Sequence, residues 1–227
     1  MKRIEKMSTS SISECEKTLI CINSCLDDSD SLAKLKQTEW FQNVDQSPEY
    51  RVVTVLADPD ISETFVDGET LIVKTEEEYT NLCMKTYHMI DYFMRGTIND
   101  YFIKIDSKII EGEHDKTSNL FSFNNFLEKF NEGAFKENYG GACPILGANP
   151  NHLRYWASSK NLTVMPELLL AELDIDEFPF RYWAGSAYSL SRGTAYKAHD
   201  NKNVFEAFKR LMAGCEDLCI GTIMHKL

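Results

Sequence analysis

The chain has 227 residues, 43% of them hydrophobic and 26% charged, a globular balance that can build a core without disulfides or metals. Its 35 acids outnumber 24 Lys plus Arg, for a net charge of −11. That sign argues against non-specific binding to nucleic acid or an anionic membrane, while a local basic cluster can still hold an anionic ligand. Residues 1–16 read as a flexible polar leader without a signal-peptide core, and no run is long enough to cross a bilayer. The 7 cysteines are Cys15, Cys21, Cys25, Cys83, Cys143, Cys215 and Cys219. They read as reduced core residues of a cytosol-like compartment. A four-thiolate zinc site from Cys21/Cys25 and Cys215/Cys219 is a minor alternative, because its spacing is looser than that of short zinc fingers.

Thr18–Asn23 reads as a buried strand, and Leu32–Phe41 as a helix carrying Leu32, Leu35 and Trp40. Arg51–Ala57 is a second strand, closed by the turn Asp58-Pro59-Asp60, and Thr70–Lys74 a third. Glu76–Arg95 carries apolar residues at helical spacing, with Gly96 placed to end it. Tyr101–Ile105 is the fourth strand. Ser122 is a candidate cap for a helix with the stripe Phe123, Phe126, Leu127 and Phe130, and Gly133 follows it. Strands alternating with helices over 18–130 predict βαβ units and a mostly parallel sheet. Beyond them, Cys143–Gly147 and Leu153–Ser158 read as strands and Glu167–Leu173 as a short helix. The fold class is therefore α/β.

The segment Tyr101–Lys108 runs from an apolar strand into Asp106, and ligands of open α/β sheets bind just past the carboxyl ends of the strands. Asn81 and Lys85 are four apart on one helix face, positioned to hold a strand end or a pyrophosphate; the plain alternative is a solvated face. Two further D-x-D spellings, Asp58–Asp60 and Asp174–Asp176, are a competing metal-site candidate and a loop, respectively.

Five segments in order resemble the β-1,3-galactosyltransferase and Fringe group of glycosyltransferases. They are Ser31–Trp40, Tyr79–Thr86 (YTNLCMKT), Tyr101–Ile110, Phe178–Ser191 (FPFRYWAGSAYSLS) and Gly214–Gly221 (GCEDLCIG). The resemblance implies one GT-A-like domain over 17–227, a mixed, mostly parallel sheet flanked by helices. Within it, 17–130 would be the nucleotide-binding half and 131–227 the acceptor-binding half. It implies transfer of a sugar, with inversion, from a nucleotide donor (UDP in particular) to a hydroxyl of a glycan or glycoprotein.

By the same resemblance Asp106 matches the first acid of the family's D-x-D site, which holds the donor ribose and a Mn²⁺ or Mg²⁺ ion. Ser107 and Lys108 stand where the other positions fall, so the second acid is missing. That departure sets metal dependence in question, and it equally fits a catalytically inactive, glycosyltransferase-shaped binding or scaffold protein. The Lys108 ammonium offers another way to offset diphosphate charge. Asp217, beside Glu216, matches the base that takes the acceptor's proton; acids also favour a helix start for structural reasons. Asn81, Lys85, Gly185 and Tyr188 are implied on the donor side, and Trp183 and Tyr182 on the acceptor side, though either aromatic could be plain core. Arg154 resembles a family Arg near a Trp, and His225 a weak late metal ligand. Without a signal peptide or membrane anchor, the resemblance suits a cytoplasmic enzyme, bacterial or virus-encoded, or an excised soluble domain.

Overall fold

The structure is a computed structural model. It describes residues 17–108, 123–133, 139–142, 144–146, 148–179, 181–184 and 186–226. The leader 1–16, Ser122, Cys143, Gly147 and Gly185 lie outside them.

The strands are β1 (Thr18–Asn23), β2 (Tyr50–Ala57), β3 (Phe65–Asp67), β4 (Thr70–Val73), β5 (Tyr101–Asp106), β6 (Gly140–Gly141), β7 (Pro144–Leu146), β8 (Arg181–Trp183) and β9 (Ala187–Ser191). The helices are α1 (Ser29–Lys36), α2 (Glu39–Asp45), α3 (Leu82–Gly96), α4 (Phe123–Asn131), α5 (Pro150–Ser158), α6 (Pro166–Leu173), α7 (Arg192–Asp200), α8 (Lys202–Leu211) and α9 (Glu216–Lys226). Among the described residues, seven strands form one sheet in the order β3-β4-β2-β1-β5-β9-β6, and β7 pairs with β8 separately. Strands β4, β2, β1 and β5 run parallel. Antiparallel partners close both flanks, β3 beside β4 and β9 between β5 and β6. The expected α/β class and mixed sheet are present, with the parallel pairings confined to the centre. Because β9 pairs with β5, the two halves of the sequence share one sheet.

Side chains alternate across the strands, and each face has its own core. Ile20, Ile22, Ile103 and Ile105 pack with Leu35, Trp40, Phe41, Val44 and the Phe123, Phe126, Leu127, Phe130 stripe of α4. The opposite face, with Leu19, Cys21, Val53, Val55 and Phe102, is covered by residues of α3, α7, α8 and α9. Lys104 and Asp106 share the parity of Phe102 and so belong to the α9 side.

Several expectations need correction. The helix read over Leu32–Phe41 is two short helices. Thr38 is extended between them and donates its hydroxyl to the Leu35 carbonyl at 2.6 Å. The helix read from Glu76 begins with a 3-10 turn at Tyr79–Asn81. It ends at Gly96 in ordinary helical geometry, and the extended Thr97 closes it by donating its hydroxyl to the Phe93 carbonyl at 2.8 Å. Gly133 does play the terminating role expected of it after α4, at φ +93. Leu153–Ser158 is a helix, not a strand. Asn149 accepts from the His152 N–H at 3.0 Å and Pro150 opens the first turn, the start signal that its apolar residues obscured. The short strand β3 and the helices α7, α8 and α9 fall outside what periodicity suggested.

Candidate functional site

The parallel strands β1 and β5 end in register, Asn23 opposite Asp106. The Asn23 amide donates to Asp106 Oδ1 at 3.0 Å. One pleat earlier, Lys104 is fully buried. Its ammonium lies 2.7 Å from Asp106 Oδ1 and 3.0 Å from Glu216 Oε1, the second contact close enough for an ion pair but not aligned as a hydrogen bond. Tyr188 sits directly across from Lys104 in β9, its ring 5.8 Å from the ammonium. One buried cation therefore ties the tip of β5 to the first residue of α9.

That helix start is fixed by Gly214. Its φ is +72, and a Cβ there would lie 2.4 Å from the Thr80 carbonyl oxygen. The loop before α9 thus packs backbone to backbone on the Tyr79–Asn81 turn, an approach open to glycine alone. Successive helical residues diverge, so the two acids face differently. Glu216 is buried against Lys104. Asp217 is half-exposed, its Oδ1 accepting from the Leu218 N–H at 2.8 Å and the Cys215 thiol at 3.3 Å.

Asp106, Glu216 and Asp217 line one cleft of about 330 Å³, with Tyr79, Leu82, Ile145, His152, Leu153, Trp156, Lys160, Tyr182, Ser186 and Cys215. The electrostatics follow from counting charges. One ammonium faces two carboxylates in a desolvated place, and burial pushes the Glu216 carboxyl up to about 7. The Lys104 ammonium stays charged: burial works against it, but Asp106 and Glu216 together raise its pKa. A proton held by Glu216 near neutrality balances the group. At the same strand ends Asn23 Oδ1 and Ser107 Oγ are buried with no hydrogen-bond partner among the described residues. Buried polar atoms are rarely left so, and a polar ligand would satisfy them.

The structure gathers only some of the sequence candidates here. Asp106, Glu216, Asp217 and Tyr182 line the cleft; Gly185 lies outside the described residues, and Asn81, Lys85, Lys108, Tyr188 and Trp183 are not part of the lining. Lys108 is exposed and pairs with Asp28 at 2.9 Å. Lys85 is buried, hydrogen-bonded to the Ser24 carbonyl and paired with Glu77 at 2.6 Å; burial lowers its pKa and Glu77 opposes that. Asn81 is buried and donates to Glu76 at 2.8 Å. Tyr188 has no exposed surface, so it supports Lys104 and cannot line a ligand pocket. Trp183 stands off the cleft, packed under Arg181 at 4.7 Å. Arg154 pairs with Glu167 on the surface. His225 lies at the far end of α9, about 13 Å along the axis from Glu216 at 1.5 Å per residue, beside the Tyr139 ring.

A divalent cation fits these residues poorly. Asp106 Oδ1 already takes the Lys104 ammonium and the Asn23 amide, and the next positions bring a hydroxyl and an ammonium instead of an acid. Among the described residues no group of three or more His, Cys, Asp or Glu side chains is arranged to hold a metal ion. Asp58 accepts the Asp60 N–H at 2.9 Å in a local turn, and Asp174 closes α6 in the left-handed region. Among the described residues no helix is long and apolar enough to cross a membrane.

Lys104 is the site residue that sequence reasoning passed over. Its signal was visible: a single charge inside the otherwise apolar run Tyr101–Ile105, and a charge is rarely buried without a partner. His152, Trp156 and Lys160 were hidden by reading a strand where α5 forms. No protein-family model matches the chain, and no curated protein matches it significantly.

Proposed function

We propose that the chain is a glycosyltransferase of GT-A type that moves a sugar from a nucleotide donor, UDP in particular, to an acceptor hydroxyl with inversion. One observation carries the reading: Asp106 and Asp217, 111 positions apart by number (217 − 106), line the same cleft at the carboxyl ends of the central parallel strands. That edge is where open α/β sheets bind ligands. Asp106, held by Lys104 and Asn23, accepts a donor ribose hydroxyl. Asp217 takes the acceptor hydroxyl's proton as that oxygen attacks the anomeric carbon. The anomeric carbon–phosphate oxygen bond breaks with the electron pair leaving on the nucleoside diphosphate. Lys108, exposed two positions past β5, meets the departing charge in exchange for Asp28.

The test is sugar transfer by Asp217→Asn. Loss of about 10²–10⁴-fold in rate is expected of a missing base, with UDP-sugar binding retained; unchanged transfer removes Asp217 from the mechanism. Full activity in a chelator is expected, given how Asp106 is engaged. A second reading, a binding or scaffold protein without transfer, draws on that same engagement of Asp106. Saturable UDP-sugar binding without turnover in any acceptor screen supports it.

A further inference from the structure

One stretch of the cleft wall, at Tyr79, Trp156 and Lys160, carries chemistry that sugar transfer in general does not require. Asn161, left-handed at φ 56, ends the turn after α5, with the Leu162 N–H donating to the Ala157 carbonyl at 2.9 Å. That ending sets Lys160 on the cleft beside Trp156. Its ammonium lies 4.5 Å from the centroid of the Tyr79 ring and 5.7 Å from that of Trp156. The two rings stand 6.2 Å apart. Among the described residues no carboxylate lies within ion-pair distance of Lys160, although the surrounding protein is strongly acidic. This is a cation held in place by aromatic faces and left uncompensated. His152 lines the same wall.

We infer that this wall is a subsite for an anionic sugar, a hexuronate ring whose carboxylate meets the Lys160 ammonium while its C–H surface lies against Tyr79 or Trp156. The inference rests on the sugar-transfer reading of the cleft and deepens it. Each part follows from the contacts. Lys160 is solvent-exposed, and an ammonium with no carboxylate beside it favours an anion; a hydrogen bond to a charged group is about twice as strong as a neutral one. The aromatic pair offers the apolar surface that a bare anion site would not need. Asp106 and Asp217 line the same cleft and repel a carboxylate, which favours seating it at the Lys160 ammonium. A cleft of about 330 Å³ lies at the small end of ligand pockets, which run about 300–1,000 Å³, and suits one ring more than an extended chain. The uronate belongs either to the acceptor or to the donor, and the two arms below separate these sources.

The experiment measures binding without turnover, by calorimetry or ligand-detected NMR on the full chain. Methyl glucuronide and methyl glucoside are compared for the acceptor arm, UDP-glucuronate and UDP-glucose for the donor arm. In one arm the acidic ligand is expected to bind about tenfold more tightly than its neutral counterpart, the size of one charged hydrogen bond, with the preference shrinking in high salt. In Lys160→Gln, a surface change that leaves thermal stability alone, the preference is expected to fall to within about twofold. No preference in either arm, or a preference that survives Lys160→Gln, overturns the inference. Transfer that uses neutral sugars with no acid preference sinks it while sparing the glycosyltransferase reading. Uronate binding through Lys160 with no transfer by any donor does the reverse.

Discussion

The two faces of the central sheet are buried by different means. On the side of α1, α2 and α4 the cover is apolar and aromatic, with Trp40 and Phe123 at a ring-centroid distance of 4.0 Å. The side of α3 and α9 encloses buried charge: Lys104 on β5, Glu216 on α9 and Lys85 on α3. The first face can be understood from area removed from water. The second also contains groups that cost free energy to bury and are held there by ion pairs and hydrogen bonds. Stability would be served more simply by apolar residues, so the polar face is the one to search for function.

Two substitutions of equal expected size separate the faces. Phe126→Ala on the aromatic side is expected to cost about 3–5 kcal/mol as a cavity and to leave UDP-sugar affinity unchanged in the folded fraction, as followed by denaturant melts and titration. Lys104→Met on the polar side is expected to cost about 3–5 kcal/mol by leaving the buried Glu216 and the half-buried Asp106 without their cation, and to weaken nucleotide binding as well. Lys104→Met combined with Glu216→Leu should recover part of that stability without recovering binding. Equal binding losses on the two faces would erase the distinction.

Gly214→Ala comes next, at about 1–3 kcal/mol for a side chain in left-handed backbone against the Thr80 carbonyl. It should reduce transfer more than nucleotide binding, because it displaces the start of α9 and with it Asp217. The pH dependence gives a finer reading. Glu216 in the fold binds its proton up to about pH 7, whereas in the unfolded chain it releases it near the ordinary glutamate value. Between those values the native state holds more protons, so this residue's contribution to stability falls as pH rises, and its full cost is present above about 7. Glu216→Gln is expected to flatten that part of the stability–pH curve, measured by denaturant melts between pH 4.5 and 8; a slope identical to wild type would show that the carboxyl is not protonated there. The smallest effect is expected for Lys108→Ala, within about 0.5 kcal/mol in stability, since its pair with Asp28 is an exposed one; its effect on donor binding measures how far the diphosphate relies on it.

Much of the frame was legible because it rests on local rules. The apolar runs of β1, β2 and β5 and the α4 stripe with Gly133 behind it declare themselves by period and turn chemistry. Even the common face of Lys104 and Asp106 follows from alternation along β5. Where the reading failed, local signals competed. At Leu153–Ser158 apolar content outweighed the Asn149-Pro150 helix start, and in α8 the buried Val204, Phe205, Ala207, Phe208 and Leu211 carry a helical pattern that went unread.

The sequence by itself determined an α/β chain whose strand β5 ends on an acid, and a second acid pair near its end, since period and composition act over a few residues. Only the tertiary structure decided which acid of Glu216 and Asp217 turns inward to Lys104, because that depends on how the backbone at Gly214 packs on Thr80. It also decided that Lys85 and Lys108 find acid partners while Lys160, in the turn after the unexpected helix α5, finds none among the described residues. Partners for a charge are chosen across space by the cost of burying it alone, and no spacing along the chain encodes that choice.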